Sequence, residues 1–430
     1  MSLATDAAAL LRRLLLCDTS NPPGGEAQVA AVLEDFLGAA GVRCERVAKD
    51  AERPNLVATV PGRSGSPSLA FLGHADVVPV RRDDWSVDPF AAIQQDGALW
   101  GRGAVDMKCQ LAAAAAALAE LARDGGAAGD RMLIVTADEE VGNADVGAPF
   151  LVTARPDLGV DYVLGEGAGE RILTPEGPIY LLDCGVKSTT TATVRVRGVA
   201  GDAALPGVGE SALRDVQHLL AAVEAHRPRL RVPAELEPLL ELLAADGTGE
   251  ERVARARAAH PALDLLVESL TRTVVRPTVL SVEGPQNVVP EAACLVLQCL
   301  ALPGTTPEEV EAEVREALGP GEHELELEEP LGGSTSPPNT PLQGAIEAFL
   351  AEHDPESRLV PALGYGFSDC HFFREAYGAV AYGFIPFRHA DPLVNLTTKH
   401  GADERVLLAD LEFQALAALT IARHPLDGES

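Results

Sequence analysis

Short apolar runs, glycine-rich turns and segments of helical period alternate along the first 165 residues. Val29, Val32, Leu33, Phe36 and Leu37 recur at the spacing of one helical face, which predicts a helix over about 26–40. The apolar stretch over 4–16 predicts another before it. Strands are expected at 42–48 and 55–60, at Leu69-Ala70-Phe71-Leu72, over Arg131 to Thr136, and at Tyr162 to Leu164. Between the third and fourth lies 107–123, almost all Ala and Leu, and so a helix buried against a sheet. A shorter helix is expected over 147–153. Strand and helix in alternation predict an α/β layer built on a largely parallel sheet.

The texture changes after residue 186. Thr189 to Gly198 alternates as a half-exposed strand does, 209–226 is an amphipathic helix, and 275–283 and 293–302 read as strands. A helix over 307–318 and a strand over 323–329 complete a βαββαβ order, which predicts a ferredoxin-like α+β unit inserted into the first layer. An extra helical stretch, 233–271, interrupts it. The segment GGSTSPPNTP, 332–341, reads as the return linker. The pattern then goes back to α/β, with a helix over 342–352, a strand from Ala379 to Phe384 and a last helix over 406–423. The expected division is 1–185, an inserted unit at 186–331, and 332–430.

Composition narrows the partners. The 430-residue chain carries 64 acidic against 34 basic residues, a net charge of −30, which repels nucleic acid and anionic lipid. No apolar run approaches the ~20 residues that span a bilayer. Arginines interrupt the apolar N-terminal segment, the wrong order for a secretory signal, so a cytoplasmic protein is expected. Seven scattered cysteines form neither a disulfide framework nor a CxxC pair.

The candidate chemistry sits just past the ends of the apolar strands. His74 and Asp76 follow one, Glu139 and Glu140 a second, and Glu166 a third, at the edge where open α/β sheets bind ligands. Asp106 stands at the mouth of the Ala/Leu helix, and His400 lies near the C-terminus. Each has a plain alternative. His74-x-Asp76 can be a polar turn, Asp106 an N-cap, and the paired acids a solvated loop. Taken together they match a two-metal hydrolase, which needs a bridging carboxylate, one His and one carboxylate per metal, and a further carboxylate to handle protons. No P-loop, GxSxG or HExxH accompanies them.

GHADVVP, DWSVDPF, GRGAVDMK, ADEEVG, LGEG and HGADERV, in that order, resemble the M20 family of metallopeptidases, as do DTSNPPGGE and QNVVPEAA. The resemblance implies a zinc-exopeptidase-like fold whose mixed, largely parallel sheet carries helices on both faces, with the inserted unit as a lid. It also implies two divalent cations, zinc or alternatively cobalt or manganese, bridged by Asp106. His74 and Glu166 would hold one, and Glu140 and His400 the other. Glu139 would be the general base and Asp76 would orient His74. The implied reaction is hydrolysis of a small N-acyl amino acid, dipeptide or related amide, and a homodimer through the lid is expected. The lid departs from the family pattern. Asp202 stands where a His is usual, and Gln298-Cys299-Leu300 replaces Asp-x-Arg. These substitutions leave two alternatives: a metal-binding relative with impaired catalysis, or a hydrolase of amides and carbamates lacking a free carboxylate.

Overall fold

The computed structural model describes residues 2–142 and 146–427. Its main sheet runs in the order Arg43–Val47, Asn55–Val60, Gly129–Thr136, Ser66–His74, Tyr162–Gly165, Val380–Gly383, Gly177–Asp183 and Arg358–Ala362, with Ile172–Thr174 pairing on Gly177–Asp183. Its central strands are parallel: Ser66–His74 pairs in parallel with both Gly129–Thr136 and Tyr162–Gly165, and the latter with Val380–Gly383. Both faces are covered, so side chains of opposite parity are equally apolar. Leu69, Phe71 and Leu133 pack under Lys108–Arg123, Leu3–Leu15 and Leu408–Arg423. Ala70, Leu72, Met132 and Ile134 pack under Ala148–Ala154 and Cys370–Tyr377. No helix is long and apolar enough to cross a membrane among the described residues.

The alanines of Lys108–Arg123 serve close packing. A Cβ added to Gly73 would come within 2.8 Å of both Leu111 Cδ2 and Met107 Cε. The helix start therefore abuts the strand end that carries His74. Asp106 is not the cap of this helix: Met107 takes the N-cap position without a side-chain hydrogen bond, and the helix begins at Lys108.

A second sheet, ordered Val274–Val282, Ala292–Ala301, Ser188–Arg197 and Glu324–Leu327, is wholly antiparallel, with Leu331–Gly332 added beside Ser188–Arg197. With the helices Ala212–Ala225 and Pro307–Leu318 it has the βαββαβ order and strand arrangement of a ferredoxin-like unit. Ala192, Val194, Leu295, Leu297 and Cys299 pack beneath those helices. The two chain crossings between the sheets run side by side: Val186 N donates to Ser334 O at 3.0 Å and Ser336 N to Cys184 O at 2.7 Å.

The helices Glu237–Ala244, Gly249–Ala258 and Pro261–Leu270 occupy the extra stretch. They share a core with Ile179, Leu181, Val360 and Ala362 of the main sheet. Several elements escape the sequence pattern: strands Gly177–Asp183 and Arg358–Ala362, helices Cys370–Tyr377 and Pro392–Thr398, and a small sheet of Ile93–Gln95, Ala98–Trp100 and Arg405–Leu407. The last removes two residues, Val406 and Leu407, from the start of the expected final helix, which runs Leu408–Arg423.

Candidate metal centre

Three neighbouring strands deliver their ends to one place. His74 closes Ser66–His74, Glu139 and Glu140 follow Gly129–Thr136, and Glu166 follows Tyr162–Gly165. Asp106 comes in from the turn ahead of Lys108–Arg123. His400 follows Pro392–Thr398 in the left-handed region, at φ 59°, a conformation uncommon outside glycine. His74, Asp106 and Glu140 offer ligand atoms within 4.8 Å of one another, and so do His74, Glu139 and Glu166.

Asp106 divides its oxygens. Oδ1 lies 3.2 Å from His74 Nε2 and Oδ2 lies 3.3 Å from His400 Nε2. His74 Nε2 also approaches Glu166 Oε2 at 3.6 Å, and His400 Nε2 approaches Glu140 Oε2 at 3.1 Å. The structure thus brings all six residues into one cluster, split into two halves that meet at Asp106. The electrostatics describe a site short of positive charge. Burial opposes a proton on His74, but hydrogen bonds to Asp106, Asp76 and Glu166 outweigh it and its pKa rises. Hydrogen bonds to Asp106 and Glu140 raise His400 to about 10. Burial, then the nearby Glu166 charge, pushes Glu139 well above the carboxylate range. Burial opposes ionisation of Asp106 as well, yet the two imidazoles hold it well below its ordinary value.

The residues fit divalent cations. Glu140 Oε1 is buried and has no hydrogen-bond partner, an expensive arrangement unless a ligand completes it. Imidazole nitrogens and carboxylate oxygens facing one another make the donor set of a zinc-type site.

Asp76 is placed differently from a simple carboxylate–histidine pair. His74 Nδ1 is 3.0 Å from the Asp76 backbone carbonyl, while the nearer carboxylate oxygen is at 3.6 Å. The carboxylate instead accepts from the backbone N–H groups of Glu139 and Glu140, both at 3.1 Å, and from Asn21 Nδ2 at 2.9 Å. Asp76 therefore fixes the loop that presents both glutamates. Asn21 also donates to Asp138 at 2.7 Å, and Arg53 pairs with Asp138 and Glu26. Glu404 plays the corresponding part for Asp106. Its Oε1 accepts from the backbone N–H of Val105 at 2.6 Å and of Asp106 at 2.9 Å, and its Oε2 accepts from Arg102 at 2.6 Å. Sequence reasoning missed Asn21 and Glu404, although both lie inside the segments DTSNPPGGE and HGADERV.

A broad cleft opens from the cluster toward the second sheet, lined on that side by Thr189, Thr191, Gln298, Leu300 and Glu328. Asp202 does not line it. That residue is exposed on a two-residue strand, Gly201–Asp202, paired with Val288–Val289.

The family model described as Peptidase family M20/M25/M40 matches residues 70–424. A succinyl-diaminopimelate desuccinylase of Rhodospirillum centenum is 29% identical over 95% of this chain and 94% of its own length. The enzyme of the same name from Parvibaculum lavamentivorans is 34% identical, over 50% of this chain and 53% of that one. Among solved structures, an M20 family metallo-carboxypeptidase from Sulfolobus solfataricus superposes with a TM-score of 0.73 at 18% identity, covering 97% of this chain and 99% of that one.

Proposed function

The chain belongs to peptidase family M20/M25/M40, and from that premise we propose that it is a two-metal hydrolase of a small amide. The observation that carries the reading is the division of Asp106 between two ligand sets, His74 with Glu166 and His400 with Glu140. Zinc suits these donors, with cobalt and manganese as alternatives. Bound there, the cations would polarise the scissile carbonyl and acidify a water molecule. Glu139, which the Asp76 carboxylate holds through its backbone N–H, takes the water proton and passes it to the leaving nitrogen.

The substrate class is an N-acyl amino acid or small peptide, and the desuccinylase names of the similar proteins make N-succinyl amino acids the first to assay. Self-association has a surface to use. The edge strand Val274–Val282 leaves Val279 53% and Leu280 46% exposed, and pairing of two such edges gives a homodimer, which sedimentation would detect. The main test is elemental analysis beside a release assay. About two divalent ions per chain and turnover abolished by a chelator are expected. A metal-free chain that hydrolyses amides at the same rate would end the reading.

A further inference from the structure

The cleft is acidic beyond its metal cluster, since Asp183, Glu328 and Glu329 also line it. Three cationic or potentially cationic side chains face it: His400, Arg374 and Lys399. His400 is committed to Asp106 and Glu140. Arg374 is committed to the fold, with Nε donating to Ser336 Oγ at 3.0 Å, Nη1 to Ser334 Oγ at 3.3 Å and Nη2 to Ala381 O at 2.5 Å. Lys399 is not committed in this way. Its Nζ makes one long contact, 3.4 Å to Tyr365 Oη, and lies 5.8 Å from that ring's centroid. Among the described residues no carboxylate oxygen pairs with it within 4.0 Å.

Its position is built. Lys399 ends the helix Pro392–Thr398, directly before His400. Leu393 and Leu396 of that helix, together with Tyr365, pack on the core formed by Leu263, Leu266, Val267 and Leu270. The inserted helices thus support, from behind, the wall that carries Tyr365 and Lys399. A half-buried ammonium group with one long hydrogen bond has donors left for a further acceptor. Two divalent cations would offset the four clustered carboxylates, among them Asp106 and Glu166, and leave Lys399 with acidic neighbours only at longer range, Glu170 foremost.

We propose that Lys399, with the Tyr365 hydroxyl as a second donor, receives a carboxylate of the substrate, an inference that rests on the amide-hydrolase reading. The same chemistry can come from the amino-acid carboxylate or from a dicarboxylic acyl group, so the probes separate them. The zinc-loaded full chain is assayed on N-acetyl-L-alanine, on N-succinyl-L-alanine amide and on the neutral N-acetyl-L-alanine amide. In Lys399→Gln, the ratio of kcat/KM for the carboxylate substrate over the neutral one is expected to fall ~10–100-fold, the usual worth of a charge-assisted hydrogen bond. The change should lie mainly in KM, and Lys399→Arg should recover part of it. The carboxylate compound that shows the fall identifies the source. An equal loss on all three, which would make Lys399 only a support for His400, overturns the proposal, as does no loss at all. If the parent hydrolyses none of them, the amide-hydrolase reading fails. Calorimetric binding of the same compounds to Glu139→Gln, with and without Lys399→Gln, then decides the receptor. Carboxylates bound ~10-fold or more weakly without Lys399 uphold it, and unchanged or absent binding overturns it.

Discussion

The two walls of the cleft are built on opposite rules. At the strand ends of the main sheet, polar side chains hold one another in place: Asp76 grips the Glu139–Glu140 backbone, Glu404 grips Asp106, and Asn21 ties Asp76 to Asp138. The facing sheet presents Thr189, Thr191, Gln298 and Leu300, whose side chains, among the described residues, share one hydrogen bond, 2.5 Å from Gln298 Nε2 to Thr189 Oγ1. The first wall is a preorganised shell in which each change disturbs several partners. The second is a surface whose residues can vary singly. Under the proposed function, we assign chemistry to the first wall and selection among substrates to the second, together with Lys399.

The largest effect is expected at Asp106, which the two halves of the cluster share. Asp106→Ala should release both metals, from about two ions per chain to nearly none, with turnover lost alongside. Stoichiometric metal retained in that variant, by elemental analysis, would show that Asp106 does not bridge. Next in size is the contrast between two neighbours. Glu139→Gln should bind metal as the parent does and lose ~10²–10⁴ in turnover, whereas Glu140→Gln should lose metal affinity first. Paired titrations and rates showing the opposite order would exchange the two roles.

Glu404→Gln changes a residue that holds the backbone of Asp106 and leaves every proposed ligand in place. The side chain is fully buried and pairs with Arg102 at 2.6 Å. Neutralising it leaves that guanidinium short of a partner, a loss of ~3 kcal/mol in folding stability for a buried pair. Metal affinity should weaken ~10–100-fold. Chemical denaturation and metal titration read the two effects separately. An unchanged metal affinity would mean that Asp106 keeps its orientation without Glu404.

The difference between the walls also explains what the sequence could reveal. His74, Glu139, Glu140 and Glu166 were legible because each follows an apolar strand, and a ligand-binding edge is where such strands end. The helix Lys108–Arg123 was legible because its long Ala and Leu run has no polar face to turn to solvent. Asn21 and Glu404 were not, since a buried hydrogen-bond partner lies far along the chain and has no period to mark it. Strands Gly177–Asp183 and Arg358–Ala362 were missed because a proline interrupts each, and Arg358–Ala362 pairs in parallel, which leaves no hairpin turn to announce it. Asp76 is expected to orient His74; its backbone carbonyl lies nearest the ring, and its carboxylate reaches the glutamate loop.

The smallest effect tests the second wall. On sequence alone Asp202 and Leu300 form a matched pair of departures, and the structure separates them. Leu300 lines the cleft opposite the metal cluster, while the Asp202 carboxylate faces away and accepts from Ala204 N at 3.0 Å. Leu300→Arg should therefore strengthen binding of a carboxylate substrate on its own. The gain should be only about 2–5-fold, because a long, partly exposed cation in a pair gains ~0.2–1 kcal/mol and Lys399 already supplies a charge. Asp202→His should change the kinetics less than twofold, a shift within the scatter of surface substitutions. KM values for N-acetyl-L-alanine across the two single variants check this. If Asp202→His produced the larger gain, Asp202 would have to reach a cleft other than the one in its own chain. Only a second copy of the protein could place it there, and the exposed edge at Val274–Val282 would then be where the two copies join.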